Sequence, residues 1–150
     1  MKRTLIILLC LLAPLTAVLA QKGLHVAPIF QGEVIPKKRM METMARGESL
    51  EKYKLTLFHS LKMNVDVFER GTILERVLAD VNGLESKNVE WESENNNVAY
   101  CIACLPGEKS KHRYLCYQCY EASKGGFNIT LVYLEGSASM SDLRKTFKKK

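Results

Sequence analysis

Tyr53-Lys-Leu-Thr-Leu-Phe-His-Ser-Leu-Lys-Met63 is the stretch whose reading decides the fold. Tyr53, Leu55, Leu57, His59 and Leu61 share one side of a period of two, and Lys54, Thr56, Phe58, Ser60 and Lys62 share the other. Successive side chains of an extended backbone point to opposite faces, so alternation with one apolar side predicts a half-buried strand. Working back, Met40 to Arg46 reads as a preceding strand and Gly47 to Leu50 as the turn between the two. Residues 21–36 have little periodicity and contain Pro28, Gly32 and Pro36. They read as a lead-in segment with one helical turn around Val26 to Phe30 and a packing role.

Working forward, Thr72-Ile-Leu-Glu75 has the form of a capping box, in which the hydroxyl accepts from an orphan amide and the glutamate reaches back. Behind it Ile73, Leu74, Val77, Leu78 and Val81 make one helical stripe, and Asn82-Gly83 supplies the stop. Val89 and Trp91 alternate with Glu90 and Glu92, and Glu94 to Asn97 reads as a turn. Val98 to Leu105, Tyr114 to Tyr120 and Phe127 to Leu134 follow as strands, the last two joined across Lys124-Gly125-Gly126. Short polar connections favour antiparallel neighbours. Ser139-Met-Ser-Asp142 repeats the capping pattern ahead of Met140, Leu143 and Phe147. The expected architecture is α+β: an antiparallel sheet of about five to six strands, with one longer helix and a short C-terminal helix packed on one face.

The chain opens on Lys2 and Arg3, an apolar run from Leu5 to Leu19 broken by Pro14, and Val18-Leu19-Ala20. This is the three-part form of a cleavable signal peptide over residues 1–20, with cleavage expected before Gln21. The run is short of the roughly 20 apolar residues that a spanning helix needs, so no stable membrane span is expected once it is removed. Leu8 and Leu9 precede Cys10, where a lipoprotein signal has a small residue, so Cys10 reads as filler. Residues 21–150 are then a single domain, periplasmic or secreted. The formal net charge of +6 shrinks without Lys2 and Arg3. Much of the remainder sits at Lys109, Lys111 and Arg113 and at the end from Arg144 to Lys150, where cations oppose a helix macrodipole in any case.

Cys101-Ile-Ala-Cys104 and Cys116-Tyr-Gln-Cys119 are the one constellation with chemical specificity. Two such pairs can supply the four tetrahedral ligands of zinc. A thiol-disulfide enzyme would need a helix opening directly after a pair to lower a thiol pKa, and neither pair opens one. Covalent haem would need a histidine after the second cysteine, where Leu105 and Tyr120 stand. In an oxidising compartment the leading reading is structural disulfides. Residues three apart on a strand lie about 10 Å from each other, beyond bridging reach. An antiparallel hairpin would instead set Cys101 opposite Cys119 and Cys104 opposite Cys116 in one shared register. Free buried thiols, a zinc module and a redox pair remain the alternatives.

His59 lies on an apolar side and reads as a satisfied core histidine. His25 and His112 fall in loops without a cysteine or acid at ligand spacing. No GxSxG, HExxH, phosphate-cradling glycine loop or paired-carboxylate signature is present. No catalytic, cofactor-binding or metal residue is therefore assigned. Tyr100, Tyr114, Tyr117 and Tyr120 beside the basic loop could mimic a nucleic-acid stacking platform, but aromatic strands ordinarily pack on a core, and no nucleic acid is expected as a partner. Asn128-Ile129-Thr130 fits a glycosylation sequon placed mid-strand.

Tyr53 to Leu61, Thr130-Leu-Val-Tyr-Leu-Glu-Gly-Ser-Ala-Ser-Met-Ser-Asp-Leu-Arg-Lys-Thr-Phe147 and the Gly23-Leu24-His25-Val26 start together resemble an uncharacterised family of small exported proteins of Gram-negative gut-type bacteria, known only as a domain of unknown function. The resemblance implies a periplasmic setting and no particular chemistry. The function expected is that of a non-catalytic binding or interaction domain of the cell envelope, whose partner is an envelope protein, a peptide or a glycan met through the strand surface or the basic loop. The alternative is a thiol-disulfide redox protein or a zinc-binding module built on the two CxxC pairs.

Overall fold

A computed structural model describes residues 20–107 and 111–147 of the chain. The expected leader apart from Ala20, Cys10 included, and Lys109 and Lys148 to Lys150 lie outside the described residues. The architecture is α+β, as the sequence predicts. Six strands, β1 (Met40–Arg46), β2 (Leu55–Val65), β3 (Val89–Glu94), β4 (Asn97–Leu105), β5 (His112–Glu121) and β6 (Phe127–Gly136), form one sheet in the order β1-β2-β6-β5-β4-β3. Every neighbouring pair is antiparallel. Helix α1 (Ala27–Phe30) is the turn expected in the lead-in, α2 (Val67–Val81) crosses from β2 to the far edge, and α3 (Met140–Phe147) follows the last strand. The meander from β3 to β6 then walks back until β6 lies against β2.

The side of the sheet under α2 is sealed. Leu57, Leu61, Leu115, Ile129 and Leu131 meet Ile73, Val77 and Val81 of α2, while Val26, Ile29, Phe30 and Ile35 of the lead-in close one flank. Each such aliphatic side chain contributes about 1.5–3 kcal/mol by leaving water, which is why a segment with so little periodicity is held in place. The opposite side has a smaller cluster in which Leu143 of α3 covers Tyr114, Val132 and Leu134. The Tyr114 hydroxyl donates to the Ala138 carbonyl there.

Three expectations need correction. The two helices do not share a face: α3 sits opposite α2, because Tyr114, Val132 and Leu134 make that side of β5 and β6 apolar as well and it needs its own cover. The longer helix starts before Thr72. Asp66 is its cap, accepting from the amides of Phe68 and Glu69, and Glu69 reaches back to the Asp66 amide. Thr72 is interior, its hydroxyl donating to the Phe68 carbonyl. In β2, a bulge between Leu55 and Leu57 turns Leu55 to the α3 side. Tyr53 belongs to a 3-10 turn, Glu48–Tyr53, and is half exposed.

The turn between β3 and β4 carries Asn95 and Asn96 at φ 50 and 64, the left-handed pair that a two-residue hairpin loop requires. The second capping pattern stands as read: Ser139 Oγ accepts from the Asp142 amide and the Asp142 carboxylate accepts from Ser139. Among the described residues no helix is long and apolar enough to cross a membrane.

Candidate binding face

The CxxC pairs lie on β4 and β5, and the register between those strands sets Cys101 opposite Tyr117 and Cys104 opposite Tyr114. It is offset by two residues from the register expected for Cys101 with Cys119 and Cys104 with Cys116. A shift of two leaves every side chain on its own face, so the alternation of β4 and β5 is equally satisfied by both. All four cysteines are free thiols. Cys101 and Cys119 lie with the core under α2, and Cys104 and Cys116 lie on the α3 side.

Residues three apart on a strand point to opposite faces, so the two CxxC pairs cannot gather four sulfurs at one ion. Among the described residues no three histidine, cysteine or acidic side chains group closely enough to hold a metal. Burial pushes the Cys101 and Cys116 thiols up to about 12 and raises those of Cys104 and Cys119 as well. A redox nucleophile needs the reverse shift, because only the thiolate attacks. The cysteines serve as small apolar residues of two interior strands, and neither the redox nor the zinc reading of the pairs finds support in this geometry.

His59 is 2 % exposed and both ring nitrogens are engaged. Nε2 lies 2.7 Å from Glu42 Oε1 and Nδ1 lies 2.9 Å from Gln21 Nε2, with the Phe30 ring 4.7 Å away. An ionised carboxylate only accepts, so Nε2 carries the proton and Nδ1 accepts from the Gln21 amide. This is the satisfied core histidine expected from its side of the strand. His25 is tied where sequence spacing gave no partner: its backbone amide and Nδ1 lie 2.7 and 2.9 Å from Asp80 Oδ1, and Val26 donates to Oδ2 at 3.0 Å. The contact fixes the lead-in to the end of α2, across 55 positions of chain. No local motif could have signalled it.

The basic loop is engaged by its own chain. Arg113 Nε donates to the Tyr133 hydroxyl at 2.8 Å, that hydroxyl donates to Glu135 Oε1 at 2.8 Å, and Lys111 pairs with Glu135 Oε2 at 2.9 Å. Two of its three expected cations are thus already answered. Of the four tyrosines near it, Tyr114 and Tyr117 are buried on opposite faces, Tyr100 is half buried and only Tyr120 is well exposed.

The unsealed part of the α3 side is the remaining candidate. Helix α3 covers only one end of this face, and beyond Thr146 a groove of about 380 Å³ runs over β2, β6, β5 and β4. Its lining includes the apolar surfaces of Phe58, Tyr100 and Tyr120 and the polar groups of Ser60, Lys62, Gln118 and Thr130. A second hollow of about 330 Å³ continues it through Lys62, Tyr120 and Thr130 toward Arg39 and Asn128. Among the described residues no carboxylate lines either part. Arg39 is held by both oxygens of Glu69, at 2.6 and 2.9 Å. Lys62 makes no ion pair among the described residues.

Sheet, helices and face together define a small α+β domain with one sealed side and one partly open side. The chain belongs to a family of unknown function, DUF6108, whose model matches residues 13–147. No curated protein and no solved structure matches the chain.

Proposed function

We propose that this chain is an exported, non-catalytic binding domain of the cell envelope, periplasmic or secreted, and that it holds an acidic glycan along the open part of its sheet. The observation that carries the reading is Lys62: among the described residues it is a cation without an ion partner, set among tyrosines, hydroxyls and an amide in a groove that no described carboxylate lines. A sugar ring offers an apolar C–H side to an aromatic ring and hydroxyls to groups such as Gln118, Thr130 and Ser60, which can each donate and accept. An acidic sugar adds a carboxylate for Lys62. An extended peptide would gain most of its affinity from backbone pairing, and the backbones beneath the groove are already paired with their neighbours in the sheet.

Export rests on the Lys2-Arg3, apolar run and Val18 to Ala20 pattern, and the Gram-negative setting rests on the family resemblance described above. Free thiols are compatible with an oxidising compartment when burial holds them protonated, as it does for Cys101 and Cys116.

Calorimetric titration of the mature chain with uronic-acid oligosaccharides and with their neutral counterparts tests the reading. Binding should favour the acidic series and weaken about ten-fold or more in Lys62→Met, the size of one lost charge-assisted hydrogen bond. Tyr120→Ala should weaken both series together. Indifference to Lys62→Met, or no binding by any acidic glycan, would remove the proposal.

A further inference from the structure

The two edges of the sheet are chemically unlike. β3 sets Glu90, Glu92 and Glu94 at alternate positions, an acidic edge of the kind that keeps a second strand from adding, with Glu90 held by Arg144 of α3. β1 has Met40, Met41, Met44 and Ala45, only two charged residues, no proline, and an unbroken pairing with β2. Among the described residues its only neighbour in the sheet is β2, and Met41 and Met44 are 68 and 40 % exposed. An open edge of this composition offers a row of backbone donors and acceptors to another strand.

We propose that β1 pairs with β1 of a second copy of this chain, antiparallel, about a two-fold axis through Met44. The charges select both the partner and the register. With Met44 on the axis, Glu42 lies opposite the second copy's Arg46 and Arg46 opposite its Glu42, so one symmetric contact adds two cross-strand ion pairs to the contacts that Glu42 already makes with His59 at 2.7 Å and with Lys37 at 3.4 Å. Centred on Thr43, the same strands would set Glu42 against Met44 and Met40 against Arg46. Centred on Glu42 or Arg46, they would oppose like charges, which destabilises a strand pair. Glu42, Met44 and Arg46 lie on one face, in register with Leu61, His59 and Leu57 of β2. Arg46 makes no ion pair with its own chain among the described residues.

The pairing is isologous and therefore closes at two copies. It fuses two six-stranded sheets into one and leaves only the acidic β3 edges outermost, which stops further growth. A single strand pair buries less than the roughly 1,200 Å² of a standard stable interface, so the dimer depends on concentration. The inference goes beyond the groove and is independent of it, since Lys62 takes no part.

Sedimentation velocity on the mature chain from low to high micromolar concentration should show a monomer–dimer equilibrium. Met44→Lys sets two ammonium groups against each other at the axis and should leave monomer over the same range, with an unchanged circular dichroism spectrum. Should Met44→Lys fail to fold, symmetric cross-linking decides: under copper-catalysed air oxidation Met44→Cys should form a dimer on non-reducing gels, and Thr43→Cys and Met41→Cys should not. A monomer at every concentration, a dimer indifferent to Met44→Lys, or cross-linking through Thr43→Cys in place of Met44→Cys would each overturn the proposal.

Discussion

The side-chain amide of Gln21 donates to Nδ1 of His59 over 2.9 Å, so the residue expected to follow the signal peptide is pinned to the middle of β2. The contact requires a neutral imidazole. A proton added at Nδ1 would face the amide hydrogens of Gln21 and turn the contact repulsive.

The pH dependence of stability follows. Burial lowers the His59 pKa below the ordinary 6.5; the Glu42 hydrogen bond and charge oppose this in part, while Lys37 and Arg46 add to it. A depressed folded-state value means the native state binds fewer protons than the unfolded one. The stabilisation is therefore complete above the unfolded value of about 6.5 and is lost as pH falls through the lower folded value. For Glu42, burial works to raise the pKa, but His59 and Lys37 leave it below its usual 4.5, so its own loss comes at more acid pH. Melting temperature should fall between about pH 7 and pH 5 more steeply in the wild type than in His59→Gln. Amides of residues 24–31 should lose hydrogen-exchange protection first. Equal slopes in the two proteins would refute the assignment.

Thiol counting separates two questions. In the native protein a water-soluble disulfide reagent should react with the cysteines of β4 and β5 slowly or not at all, since burial holds them as thiols and only a thiolate attacks. In denaturant, protein recovered from its own compartment should titrate four thiols if the leader with Cys10 has been removed, and all five of the full chain if it has not. Fewer than four would mean that disulfides form after all.

The start of α2 can be tested by comparing two substitutions. Asp66→Ala removes the acceptor for two amides and should cost about 0.5–2 kcal/mol in urea unfolding. Thr72→Ala, though it alters the more familiar capping pattern, should stay within about 0.5 kcal/mol of wild type. Arg39 and the Asp66 amide together draw the Glu69 carboxyl down to about 2, so the reach of Glu69 back to the Asp66 amide should survive moderate acid. Equal costs for the two variants would place the helix start elsewhere.

The two faces should differ in their tolerance of cavities. Ile73→Ala empties a fully buried site of α2 and should destabilise the protein by about 2–5 kcal/mol. Phe58→Ala, at a half-buried position in the groove, should cost clearly less in chemical denaturation. A reversal of that order would mean that the groove side carries the core.

What the sequence revealed depended on distance along the chain. The alternation of Leu57, His59, Leu61 and Met63, the Asn95-Asn96 turn and the Ser139 to Asp142 cap are local, and each could be read directly. Asp66-Val-Phe-Glu69 has the same capping spacing as Thr72-Ile-Leu-Glu75, and the helix that starts at the first runs on through Gly71 and the second. The β4–β5 register was hidden because a two-residue offset preserves every face. The open groove was not legible at all: Thr130, Val132 and Leu134 are successive residues of one face of β6, and whether α3 covers them depends on where the chain turns after Gly136. The clasp of Asp80 on His25 lay equally far beyond any local pattern.

The strand order has a consequence for how the molecule comes into being. β2 is an inner strand, yet its partner β6 is the last of the six described strands to be synthesised, with Leu61 paired to Leu131. Until β6 emerges, β2 can close only with β1, and its apolar row faces water along an open edge. The β3 to β6 meander can zip through near neighbours, whereas the β2–β6 seam must wait for a loop closure spanning half the molecule, the kind of step that slows folding. A nascent chain halted before Phe127 is therefore an unfinished sheet that needs shielding from other chains. The seam that makes the finished sheet whole also defers its closure until the sixth strand has been made.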